Sequence, residues 1–205
     1  MPRMNREESQ AQTRNRLIEA AREEIAKKGF AFASVRDIAD AAGYSQGAFY
    51  SNFPDKEAIL LELVRRHQAE ERERIEAALG ANNGGAKSVL AGIEKWATAD
   101  NADPGFSVLA IELQLQALRS PTFAEAYNAL SRVHRQELGG LIAKLFGLLA
   151  KQVPGDPVEI ATGFMALSRG MALLSSDETI QRGRVVLTFL QALVEAAPPI
   201  APDPQ

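Results

Sequence analysis

One pentapeptide in this sequence has the spacing of a catalytic motif. Gly43-Tyr44-Ser45-Gln46-Gly47 reads G-x-S-x-G, the turn on which hydrolases present a serine to an acyl carbon. That chemistry needs a strand before the serine and a helix after it. The residues before it, RDIADAA, carry a helical pattern instead. A serine hydrolase built on Ser45 therefore stands only as the distant alternative. The two histidines, His67 and His134, sit near no cluster of zinc-ligand spacing, and the chain has no cysteine. No phosphate-cradling glycine loop follows a strand. The expectation is no enzyme, no metal and no cofactor.

The same serine has a second use, as a helix cap. Ser34 opens a short helix, because its hydroxyl can accept from the Asp37 N–H while Asp37 reaches back, as in a capping box. Val35, Ile38, Ala39 and Ala42 form the buried stripe, and Gly43 ends the helix. Ser45 caps the next helix, which runs through Gln46, Phe49 and Tyr50 to about Phe53, where Pro54 stops it. Gly43-Tyr44 leaves almost no slack between the two helices. The second must cross the first steeply and is held outward, the arrangement of a helix-turn-helix. Small Gly47 and Ala48 permit close approach to base edges and thymine methyls in a major groove.

The run GFAFASVRDIADAAGYSQGAFYSNFPDKEAIL resembles the N-terminal domain of the tetracycline-repressor (TetR) family. The matching positions are Gly29, Ser34, Ile38-Ala39, Ala42-Gly43, Ser45, Gly47, Phe49-Tyr50, Phe53 and Lys56. The sequence departs from the commoner pattern at Tyr44, where a small aliphatic residue is usual. The resemblance implies that Ser34, Tyr50 and Lys56 contact phosphates and that Arg36 and Gln46 read bases. Arg suits guanine O6 and N7, and Gln suits adenine N6 and N7. It also places Thr13 and Arg14 near the DNA backbone. Val35, Ser45, Gly47 and Ala48 complete the expected DNA-binding set.

The fold class expected is all-α. A three-helix helix-turn-helix domain over 1–53 precedes a six-helix ligand-binding and dimerisation domain over 54–197, and 198–205 is a disordered proline-rich tail. The first helix spans about 9–28, with Ser9 or Thr13 at its cap. A long helix runs from Asp55 to about Leu79, followed by the linker GANNGG. Further helices are expected near 86–100, 105–118, 121–152 (bent at Gly139-Gly140), 157–175 and 178–196. Composition fits a soluble globular chain, 46% hydrophobic and 24% charged. Net charge is −3, yet through Lys56 nine Lys/Arg face eight Asp/Glu, a balance of +1. A nucleic-acid surface must then be a local patch. The N-terminus has no signal-peptide core, and the longest apolar run, near Leu141 to Ala150, is too short to cross a bilayer, so a cytoplasmic location and no membrane partner are expected.

Trp96, Phe106, Leu109, Leu113, Tyr127 and Phe164, with Gln114, Gln116, His134 and Ser168 as polar groups, have the composition of a small-molecule pocket. Plain helical core has the same composition. Ile160, Phe164, Leu167 and Met171, with Val186, Phe189, Leu190 and Leu193, make the last two helices apolar on more than one side. The resemblance implies that these pair with a twin, giving a homodimer on an inverted-repeat operator in double-stranded DNA. The expected function is a ligand-responsive repressor released by a mostly hydrophobic effector, with the Asp55–Leu79 helix as lever. A regulator of the same fold under a partner protein's control is the alternative.

Overall fold

The computed structural model describes residues 6–80, 85–98, 104–174 and 181–200. Among them are nine α-helices and no strand beyond one isolated bridge: α1 (Arg6–Lys28), α2 (Val35–Ala42), α3 (Gln46–Tyr50), α4 (Lys56–Gly80), α5 (Ala86–Thr98), α6 (Pro104–Arg119), α7 (Pro121–Leu148), α8 (Pro157–Leu173) and α9 (Arg182–Ala196). The all-α expectation holds. Residues 81–84 of the GANNGG segment lie outside the described residues.

The helix ends follow local chemistry. Gly29 and Gly43 adopt left-handed backbone, φ 78° and 77°, where a Cβ would be strained. Asp55 accepts from the Ala58 N–H at 2.7 Å and so caps α4, rather than forming its first turn. The start of α1 differs from expectation. Ser9 and Thr13 lie inside the helix, where the Thr13 hydroxyl donates to the Ser9 carbonyl, four residues back, at 2.9 Å.

The C-terminal end of α7 also differs. The helix stops at Leu148, and Ala150 takes a left-handed φ of 51°. The Lys151 N–H then turns back to the Phe146 carbonyl at 2.9 Å. Beyond this turn, Gln152 donates to the Pro198 carbonyl and Ile200 to that of Ala150, each at 2.9 Å. Pro198–Ile200, expected to begin a disordered tail, are thus tied to 150–152, because their backbone groups meet a second extended segment. Residues 201–205 lie outside the described residues.

The chain forms two compact units. The first contains the residues up to His67 together with Val108–Leu130. Its interior holds Leu17, Ile18, Ile25, Ile38, Phe49, Phe53, Ile59, Leu60 and Leu113. The second contains Gln68–Ser107 and the residues from Ser131 onward. Leu79, Val89, Ile93, Leu141, Leu145, Phe146, Leu187, Leu190 and Val194 form its apolar cluster. Gly139 explains itself here: a Cβ would lie 2.9 Å from Val158 Cγ2 and 3.1 Å from the Val158 backbone. The Gly139-Gly140 pair, expected to bend α7, lies in a continuous helix that α8 approaches at Gly139.

Candidate nucleic-acid interface

The turn between α2 and α3 is built by reciprocal caps. The Ser34 hydroxyl accepts from the Asp37 N–H at 3.1 Å and donates to Asp37 Oδ2 at 2.5 Å, while the Ser34 N–H donates to the same oxygen at 2.9 Å. Ser45 Oγ accepts from the Ala48 N–H at 3.2 Å. The residue before this turn is helical, so the G-x-S-x-G string lacks the strand an elbow requires. Phe49 is fully buried and packs on Phe53, centroids 5.8 Å apart, which pins α3 by one face.

The opposite face is open. Gln46 and Gly47 are exposed, Ala48 is half-buried, and Tyr50 is 56% exposed with its ring edge against Phe49 at 5.5 Å. On α2, Arg36 is exposed and pairs weakly with Asp40 at 3.6 Å, and Val35 is half-buried. Arg36, Gln46, Gly47 and Tyr50 therefore retain side-chain or backbone groups available to a partner. An exposed ion pair of this kind contributes little and exchanges readily for a phosphate or a base.

Other members of the expected set are engaged within the chain. Arg14 donates to the Asn52 carbonyl at 2.8 Å and lies 4.1 Å over the Phe53 ring, so it holds the C-terminal end of α3. Lys56 Nζ donates to the Phe30 and Ala33 carbonyls at 2.7 and 2.9 Å and sits 4.3 Å from the Phe30 ring. Burial pushes the Lys56 ammonium below its ordinary pKa. The Ser34 hydroxyl is committed to Asp37.

Further side chains position the interface. Lys28 bridges Glu24 at 2.7 Å and Asp37 at 2.9 Å, joining α1 to the α2 cap. The Asp37 carboxyl is held far below the usual range by the Ser34 hydroxyl first, and by Lys28. Glu112, on α6, accepts the Phe30 N–H at 2.6 Å, and the Gln116 amide, one turn on, donates to Glu57 at 3.0 Å. Glu24 and Lys28 had a readable i,i+4 spacing, but Glu112 lies 82 residues from its partner.

The expected effector contacts fall in both units. Leu109 and Leu113 are buried in the first, Tyr127 stacks on Phe123 at 5.8 Å, and Gln116 is taken by Glu57. Gln114 is half-buried there. In the second, Trp96 is half-buried, Phe164 packs on the apolar cluster, His134 is buried and Ser168 is exposed. The side chain of Phe106 lies outside the described residues. Of the expected dimer set, Met171 and Leu190 are buried within the chain, Ile160, Phe164, Leu167, Val186 and Leu193 are half-buried, and Phe189 is 55% exposed.

Residues 17–63, from the middle of α1 through α3 into α4, match the family described as bacterial regulatory proteins, tetR family. Over that segment the chain is similar to the tetR family. Its relatives include the uncharacterized HTH-type transcriptional regulator YdgC of Bacillus subtilis, 38% identical over 71 residues, which are 35% of this chain and 36% of YdgC. The chain thus spans about a third of that relative. The HTH-type transcriptional repressor Rv1474c of Mycobacterium tuberculosis is 28% identical over 93% of this chain and 97% of its own length. Among solved structures, a TetR-family regulator from Mesorhizobium loti superposes with a TM-score of 0.69 at 20% identity, covering 95% of this chain and 99% of that one. FadR from Bacillus subtilis, in complex with stearoyl-CoA, gives 0.66 at 21% identity over 88% and 97%. These likenesses extend the tetR fold from the helix-turn-helix over the whole chain. Among the described residues no helix is long and apolar enough to cross a membrane, and no group of three His, Asp or Glu is placed to hold a metal ion.

Proposed function

We propose that this chain is a dimeric, sequence-specific DNA-binding regulator that a mostly hydrophobic small molecule releases from an inverted-repeat operator. The observation that carries the DNA-binding reading is α3: five residues capped by Ser45, anchored by buried Phe49, with Gln46, Gly47 and Tyr50 exposed along one edge. A short helix pinned this way presents its N-terminal residues to a major groove. Gln46 and Arg36 read bases, and Tyr50 contacts a phosphate. Residues 1–53 form the DNA-binding part and 54–197 the effector-binding and dimerising part.

Release requires an effector that binds one conformer of the protein better than another. FadR, with the same fold, is described in complex with stearoyl-CoA, which supports a small-molecule effector here. The lever is α4, a single helix whose residues up to His67 belong to the first unit and the rest to the second. A coupling of about 1–3 kcal/mol would weaken operator binding about 5–150-fold, and operator would weaken effector binding by the same factor.

The test of the site is Gln46→Ala. It is expected to cost about 1–3 kcal/mol at the cognate site and to relax base preference there, while Tyr50→Phe weakens binding to all sequences alike. Fluorescence anisotropy on a cognate and a scrambled duplex separates the two. An unchanged affinity and preference in Gln46→Ala would displace α3 as the reading helix.

A further inference from the structure

The described buried side chains are apolar with three exceptions: Gln68, Ser131 and His134. All three belong to the second unit. Ser131 and His134 stand three residues apart on α7 and so share a face, as do Gln68 and Glu71 on α4. The two faces meet, because His134 Nε2 lies 3.4 Å from Glu71 Oε2. One turn further along both helices, Ile75 and Leu138 pack against the apolar cluster.

Two atoms in this cluster have no hydrogen-bond partner: Ser131 Oγ and His134 Nδ1. Ser131 is 5% exposed and His134 4%. An unpaired buried polar atom costs about 1–3 kcal/mol, so two on one helical face need an occupant. Nε2 lies on the Glu71 side, and the tautomer that carries its proton there leaves Nδ1 as a lone-pair acceptor. The serine hydroxyl beside it can donate. A group that donates to Nδ1 and accepts from Oγ at once satisfies both, and a hydroxyl does so with one oxygen. The Glu71 carboxylate disfavours an anionic group in the same place.

We propose that Ser131 and His134 form the polar anchor of the effector site and take the hydroxyl of an otherwise apolar alcohol or phenol. The inference rests on the effector reading above and adds the functional group it recognises. The apolar body of such a molecule would lie toward the Ile75 and Leu138 turn.

The experiment uses the full chain with three probes of one shape: 4-butylphenol, butylbenzene and 4-butylbenzoate. The chain has two histidines, so the imidazole ¹⁵N signals are assigned with a His67→Gln variant. The expected result is that 4-butylphenol binds tightest of the three and shifts the His134 Nδ1 resonance. Ser131→Ala should weaken 4-butylphenol about three- to tenfold, the worth of one buried hydrogen bond, and leave butylbenzene unchanged. In ligand-free protein the same variant should hold or raise Tm, since it deletes an unpartnered hydroxyl. A fall in Tm with 4-butylphenol affinity unchanged would assign the pair to a structural water and overturn the anchor. So would 4-butylphenol binding that leaves His134 unmoved, or no binding of 4-butylphenol at all. The effector reading itself is judged separately, by whether any probe weakens operator binding. A probe that releases operator without touching His134 keeps that reading and removes this one.

Discussion

At the scale of single residues, the interface divides into groups that face outward and groups that hold them. Lys56 is the sharpest case. The family resemblance implies a phosphate contact, yet its ammonium is turned to two carbonyls of its own chain and to the Phe30 ring. Lys56→Ala removes two charge-assisted bonds and is expected to lower unfolding free energy by about 1–3 kcal/mol, with the salt slope of DNA binding nearly unchanged. Urea denaturation and a salt titration of DNA affinity check this. A slope reduced by about one unit at unaltered stability would make Lys56 a phosphate anchor instead. Asp37 carries a pH dependence. Its carboxyl is depressed by the Ser34 hydroxyl and by Lys28. A depressed folded pKa contributes stability that is present above the unfolded value, ordinarily 3.8, and is lost as pH falls below it. Asp37→Asn should therefore destabilise at pH 6 by more than it does at pH 3. An equal difference at both pH values would show that the carboxylate's charge contributes nothing.

At the scale of elements, what was legible in the sequence was local. The Ser34 box, the Gly43 turn, the Ser45 cap and the Phe49 anchor all lie within a few residues of their partners, and each has a physical signature that the sequence carries unaided. What was not legible was the pairing of distant segments. No pattern in the α6 sequence announces that Glu112 accepts from Phe30, and nothing in APPIAPDPQ announces that Pro198–Ile200 pair with 150–152. The same limit misread the two glycines of α7. Their helix-breaking tendency suggested a bend, but Gly139 is there for α8. This yields a paired prediction. Gly139→Ala puts a methyl 2.9–3.1 Å from Val158, including its backbone, which rotamer changes cannot relieve. It should cost about 1–3 kcal/mol. Gly140→Ala meets nothing within 4 Å and should stabilise by about 0.5–1 kcal/mol through helix propensity. Thermal unfolding of the two variants is the check, and the same sign for both would remove the close-approach account.

At the scale of the whole molecule, the remaining question is what covers the apolar surface of the last two helices. α8 and α9 pack on each other, and Met171 and Leu190 are buried. That leaves Leu173, Leu174 and Phe189 at 69, 56 and 55% exposed. Three large apolar side chains exposed on a helix pair, beside half-buried Ile160, Leu167 and Val186, are an association surface more often than a solvated one. The sequence pointed to Phe189 but not to Leu173 and Leu174, because periodicity cannot say which apolar residues a neighbouring helix has already used. A two-fold pairing through this surface is self-complementary, each residue meeting its own counterpart's neighbourhood. It also supplies what one recognition helix cannot. A five-residue recognition helix reads too few bases for specificity, whereas in the proposed dimer two such helices about 34–36 Å apart would read successive major grooves of an inverted repeat. The double variant Leu173→Glu/Phe189→Glu brings like charges together across the axis and leaves the first unit untouched in sequence. It is expected to sediment as a monomer at micromolar concentration, to keep its helical circular dichroism, and to lose inverted-repeat binding while retaining weak, salt-sensitive binding to any duplex. A variant that stays dimeric would move the interface elsewhere on the molecule. One that becomes monomeric and still binds the inverted repeat tightly would show that a single α3 suffices for recognition.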